Sequence, residues 1–142
     1  MMKRILAFDV GDRRIGVAVS DALGITAQPV ETYHRKGGAE KDAEYLLALA
    51  KRYAPCTLLF GLPRNMDGTY GEQAEKVKKF AQRLIDRWDG DYAFYDERLT
   101  TMAAQRVLID ADISREKRKQ VIDKMAAVVI LQGYMESHRN EA

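Results

Sequence analysis

A single cysteine occurs in the 142 residues. Cys56 therefore excludes an internal disulfide, and with no His/Cys cluster there is no ligand set for a zinc site. It lies within Cys56-Thr57-Leu58-Leu59-Phe60, where a buried structural thiol is its expected role. No apolar run approaches the ~20 residues of a membrane span. The opening Met1-Met2-Lys3-Arg4 leads directly into a short strand, without the longer apolar region and small-residue cleavage site of a signal peptide. These absences point to the cytoplasm and to no membrane partner. An excess of one charge sign is missing as well: 23 Lys and Arg against 21 Asp and Glu leave a net +2, too little to identify a partner. Internal repeats, low-complexity tracts and linkers are absent. At 46% hydrophobic and 31% charged residues, the composition is that of an ordinary globular protein. The length suits one domain with a real core, expected over 1–138 with a short tail at 139–142.

What is present begins with Ile5-Leu6-Ala7-Phe8-Asp9-Val10-Gly11. Four apolar residues in a row read as a strand buried on both faces. Ile15 to Val19 is a second strand, so close that the pair must be antiparallel. Thr26 to His34 makes a third, and Pro29 assigns it to an edge because proline cannot donate to the ladder. Ala43, Leu46, Leu47, Ala50 and Tyr53 follow helical spacing up to Pro55, and Thr57 to Phe60 form a fourth strand. Thr69 with Glu72 has the spacing of a capping box. The helix it opens carries Ala74, Val77, Ala81, Leu84 and Trp88 on one stripe and is closed by Gly90. Tyr92 to Tyr95 form a fifth strand ending in Asp96-Glu97. A short helix capped by Thr100 or Thr101 reaches Ile109, and a longer one capped by Ser114 reaches about Met135. Hairpin-linked strands followed by β-α-β crossovers predict an α/β fold with a mixed five-stranded sheet flanked by helices.

Three acids stand out. Asp9 ends a buried strand, where a charge is costly unless something cationic meets it; an Asp before Gly is also an ordinary turn residue. Glu97 repeats that pattern, although an acid leading into a helix is equally explained by the helix dipole. Right-handed crossovers bring such strand ends to one edge of the sheet, where α/β proteins bind ligands. Asp123 lies in a helix that is apolar almost all round, from Val121 to Leu131. It shares a direction with Ala127, Ile130 and Tyr134, so it needs either a metal or an ion pair with Arg98 or Arg14. Oxygen ligands of this kind suit Mg²⁺ or Mn²⁺. Two such ions about 4 Å apart activate a water and stabilise the leaving oxygen in phosphodiester hydrolysis.

Arg13, Arg14, Arg64 and Arg98 flank the acidic segments and can hold phosphates beside a cut. Arg115, Lys117, Arg118 and Lys119 form a local basic run, either a phosphate-backbone footprint or a solvated helix face. No aromatic base-stacking platform is evident, so RNA and DNA are not told apart.

These residues fall into ordered motifs: Phe8-Asp9-Val10-Gly11 with Arg14 to Asp21, Gly61-Leu62-Pro63 with Met66-Asp67-Gly68-Thr69 and Gly71-Glu72-Gln73-Ala74, Asp96 to Thr101, and Asp123 with Ala126-Ala127 and Ile130-Leu131-Gln132. In this the chain resembles the YqgF/RuvX family of Holliday junction resolvase-like proteins and pre-16S ribosomal RNA nucleases. The resemblance implies a ribonuclease H-like fold with sheet order 3-2-1-4-5. It also implies a site of Asp9, Glu97 and Asp123 holding one or two Mg²⁺ or Mn²⁺ ions, and a role in ribosome maturation in the bacterial cytoplasm. Better-understood resolvases of this fold carry a carboxylate at the end of the fourth strand. Here Gly61-Leu62-Pro63-Arg64 has none, leaving Asp67 or Asp96 as supporting acids.

Three functions are consistent with this pattern. One is a metal-dependent endonuclease on structured nucleic acid, most readily precursor 16S rRNA, with ribosomal particles as associated partners. The second is a Holliday junction resolvase, which requires a symmetric dimer, whereas a trimming nuclease can be a monomer. The third is a nucleic-acid or ribosome-associated factor that has lost turnover. An actin-like ATPase, suggested by Asp9-Val10-Gly11 alone, needs two such domains and a second phosphate loop, which 142 residues do not contain.

Overall fold

A run of apolar residues needs cover on two sides, and β1 (Arg4–Val10) obtains it at the centre of the sheet, with Leu6, Ala7 and Phe8 fully buried. The computed structural model describes residues 3–63, 71–96 and 115–138; over 115–124 and at 138 it describes the helical backbone alone. The other strands are β2 (Arg14–Ser20), β3 (Ala27–His34), β4 (Cys56–Leu62) and β5 (Tyr92–Asp96). Their order is β3-β2-β1-β4-β5, as expected. β1–β2 and β2–β3 are antiparallel, while β1–β4 and β4–β5 are parallel. The ends of β1, β3, β4 and β5 and the start of β2 consequently share one edge. Pro29 is on the edge strand, beside an irregularity: Val17 pairs with Glu31 and Ala18 with Pro29, which leaves Val30 as an extra residue. A bulge beside a proline is where a ladder tolerates its missing donor.

Alternation sends each strand's side chains to two different cores. Leu6, Phe8 and Val10 join Ile15, Val17, Leu58, Phe60 and Leu62 beneath α1 (Ala39–Arg52) and α2 (Glu72–Ile85). Phe8, Phe60 and Phe94 contact in sequence across the sheet, at centroid separations of 5.4 and 5.6 Å. The opposite face is built from small residues, Ala7 and Ala18, with Leu59. These let α3 (Arg115–His138) lie close through Ala127, Ile130 and Leu131. Cys56 is buried, in agreement with a structural thiol. No helix among the described residues is long and apolar enough to cross a membrane.

Three expectations change. The α2 N-cap is Gly71, so Glu72 is the first helical residue and not the third, as the capping box expected; Thr69 lies outside the described residues. A glycine is costly inside a helix, and here it sets the boundary. α2 also ends at Ile85, earlier than Gly90: the amides of Arg87 and Trp88 donate to Leu84 and Ile85, a tightening to i→i+3 bonds that stops the helix. Trp88 still packs on the core from the turn that follows. α3 runs past Met135 to His138; within its apolar stretch Ala126, Ala127, Val128, Ile130 and Leu131 are buried, whereas Gln132, Glu136 and Ser137 beyond it are exposed. The proposed Ser114 cap and the helix to Ile109 lie outside the described residues.

Candidate active site

Asp9 is the penultimate residue of β1 and half-buried. Because Phe8 and Val10 point to the α1/α2 core, alternation turns Asp9 to the α3 side of the sheet. Its direct partner on β2 is Gly16. One step beyond the Phe8–Phe60 pair, the register sets Gly61 on its β4 side. A carboxylate whose strand neighbours carry no side chains is not crowded by them, and its oxygen donors are the chemistry an oxygen-liganded metal takes. Arg14 lies on the same face, one diagonal step away across the β1–β2 pair, where side chains are ~7–8 Å apart.

The turn that follows Asp9 is held at both of its polar groups. The Gly11 amide donates to the Arg14 carbonyl at 2.9 Å, and Arg35 Nη1 donates to the Gly11 carbonyl at 3.0 Å. A side chain at position 11 would meet the Arg14 carbonyl oxygen at 2.8 Å, so the motif requires glycine there for close approach. Arg35 is itself fixed. Its Nε donates to Asp42 Oδ2 at 2.9 Å, and its guanidinium lies over the Phe80 ring at 4.7 Å. Asp42, with 1% exposure, also accepts from the Tyr33 hydroxyl at 2.8 Å and the Lys36 amide at 3.2 Å. Burial alone would raise the Asp42 carboxyl, but the bonds from Arg35, Tyr33 and Lys36 outweigh it and hold the group below its ordinary value. Burial and the adjacent Asp42 push the Tyr33 hydroxyl up to about 12. Arg35 and Asp42 were not among the sequence candidates. One signal for them was available: Asp42 precedes Leu46 by one helical turn, so a carboxylate interrupts the apolar stripe of α1.

The other candidates divide by position. Arg13 is exposed in the β1–β2 turn. Asp96 ends β5 opposite Leu62 and shares the face of Phe94, the side of the sheet away from Asp9. Arg64, Asp67, Glu97 and Arg98 lie outside the described residues. Arg115, Lys117, Arg118, Lys119 and Asp123 belong to the helical backbone of α3. Its far end lies by the β2–β3 turn, where Ile25, Gln132, Met135 and Glu136 line one groove. The same part of the helix meets β5, where the Tyr134 and Tyr95 rings pack edge to face at 6.4 Å, so α3 crosses the strands on the face that carries Asp9. Among the described residues no three His, Cys, Asp or Glu side chains are grouped as metal ligands.

A mixed sheet of order β3-β2-β1-β4-β5, helices on both faces and a carboxylate ending the central strand define a ribonuclease H-like fold. The structure of T. thermophilus RuvC in complex with Holliday junction substrate superposes with a TM-score of 0.59 over 96% of both chains, at 13% identity, a likeness of fold. The RuvX family model, described as Holliday junction resolvase, matches residues 3–137, and the chain belongs to this family. Similar curated relatives are provisionally named pre-16S rRNA nuclease. That of Clostridioides difficile (strain 630) is 53% identical over 133 residues, 94% of each chain. That of Clostridium novyi (strain NT) is 52% identical over 134 residues, 94% of this chain and 98% of the relative.

Proposed function

We propose that the protein is a metal-dependent endonuclease that hydrolyses phosphodiester bonds in structured nucleic acid, with precursor 16S rRNA as substrate in the bacterial cytoplasm. The observation that carries this reading is Asp9, a carboxylate at the carboxyl edge of the central strand with glycine on both flanks. Family membership and the relatives' names support the same activity. In this reading Asp9, Glu97 and Asp123 hold one or two Mg²⁺ or Mn²⁺ ions, with carboxyl oxygens within roughly 4–8 Å of one another. The packing of α3 on the face that carries Asp9 favours Asp123 as a ligand. The opposite orientation of Asp96 makes Glu97 the better acid from that segment. Bound there, the metal would supply a deprotonated water and charge stabilisation at the leaving oxygen. The chain's own contribution is positional. The doubly held Gly11 turn and the packed β1 fix Asp9, and Arg13, Arg14, Arg64 and Arg98, with the basic run of α3, orient the phosphates.

The test is cleavage of a precursor 16S rRNA fragment and a four-way DNA junction, side by side, with Mg²⁺ or Mn²⁺ and with chelator. Asp9→Asn keeps the shape of the side chain and removes its charge. It abolishes cleavage while far-UV circular dichroism and thermal stability stay at or slightly above wild type, since crowded acids no longer repel. Full cleavage by this variant would make Asp9 a structural residue. The likeness to a junction-bound resolvase favours a second reading, in which the junction is cut preferentially by a homodimer.

A further inference from the structure

The nuclease reading leaves unused a cleft of about 580 Å³ where β1 and β3 end and α1 begins. Its walls include Asp12 and Arg13 of the β1–β2 turn, His34 and Arg35 at the end of β3, and Gly38 before α1. The acids in these walls are already occupied. Asp42 is buried and answered by Arg35, and the exposed Asp12 is 3.7 Å from Lys76. Arg13 makes no ion pair among the described residues, so its guanidinium and the His34 imidazole are side-chain donors open to the cleft. Gly38 is extended, at φ −135° and ψ 119°, a conformation open to any residue. A Cβ added there would meet nothing within 4 Å. An Asp at this position would cap α1, and it would also set a negative charge inside the cleft.

We propose that this cleft holds a phosphate of the bound nucleic-acid strand, beside the cut, with Arg13 and His34 as its donors. The proposal rests on the nuclease reading and extends it to the path of the substrate. Asp12 is three residues beyond Asp9, so the cleft wall is at most about 10 Å from the site along the backbone. That is within about three nucleotide rises of 3.4 Å. A strand crossing the sheet edge from Asp9 toward α1 passes over it.

Affinity for a short RNA duplex and for a four-way DNA junction, measured without divalent metal at several salt concentrations, tests this. Arg13→Gln combined with His34→Gln weakens binding about tenfold, the low end for hydrogen bonds to a charged group. The same variant lowers the salt slope by about 0.7–0.9, one lost phosphate contact. Gly38→Asp weakens binding while its melting temperature equals or exceeds wild type; Gly38→Asn, of the same size without the charge, binds as wild type. Wild-type affinity and slope in the double variant or in Gly38→Asp would overturn the proposal, as would equal losses in Gly38→Asn and Gly38→Asp. Cleavage by the wild-type protein with Mg²⁺ or Mn²⁺ reports on the nuclease reading separately. Cleavage together with unaltered variant affinities rejects the cleft alone, and failure of the wild type to bind either probe rejects both.

Discussion

The Arg35–Asp42 pair ties three elements together behind the candidate site, and removing its charge has a calculable consequence. Asp42 is 1% exposed and Arg35 19%. Breaking one partner of a buried pair costs about 3–5 kcal/mol, because the other charge is left without its match. In Asp42→Asn one acceptor oxygen survives, but an amide N–H now faces the Arg35 donors. Arg35 retains the Gly11 carbonyl and the Phe80 ring, which argues for the low end, about 3 kcal/mol. For a chain of this length that is a fall in melting temperature of about 10 °C. The pH dependence supplies a second check. Asp42 is held below its ordinary value of 3.8, so its contribution is complete above the unfolded-state value near 4. It is lost as pH falls through the lower folded value. The gap between wild type and Asp42→Asn is therefore full at pH 7, persists to about pH 4 and closes below it. Thermal melts followed by circular dichroism across that range measure it. A gap under about 1 kcal/mol at neutral pH, or one that survives in strong acid, would refute the reasoning.

Other perturbations give distinct signals. Replacing Lys117, Arg118 and Lys119 together by Gln weakens nucleic-acid binding and flattens its salt dependence, since fewer counterions are released; unchanged affinity and slope would mark the run as a solvated helix face. Gly11→Ala drives a Cβ to 2.8 Å from the Arg14 carbonyl oxygen and destabilises by about 1–3 kcal/mol, read from urea unfolding. Burial pushes the Cys56 thiol up to about 11, so at pH 8 it stays protonated and resists alkylation in the native protein but reacts once urea unfolds it. Labelling at the rate of a free thiol in the native state would contradict that environment.

Much of the architecture is legible in local pattern. The short connection from Val10 to Arg14 forces an antiparallel pair, Pro29 marks an edge, and the apolar runs around Ala7 and Leu59 announce strands covered on both sides. Asp9 stands out for the same reason, a charge at the end of such a run. Helix ends were less legible. Thr69 and Glu72 have the spacing of a cap, yet Gly71 sets the boundary, and Trp88 keeps the α2 periodicity after the helix has ended. The residues around Asp9 depend on contacts remote in sequence. Arg35 reaches Gly11 across 24 positions, and Gly16 and Gly61 become its neighbours only through strand register. A strand that is apolar on both faces carries no period-2 signal of which side is which. Sequence alone therefore determined that a carboxylate ends the central strand. Only the packing of α3 on one face and of α1 and α2 on the other decided that Asp9 and Asp96 point to opposite sides of the sheet.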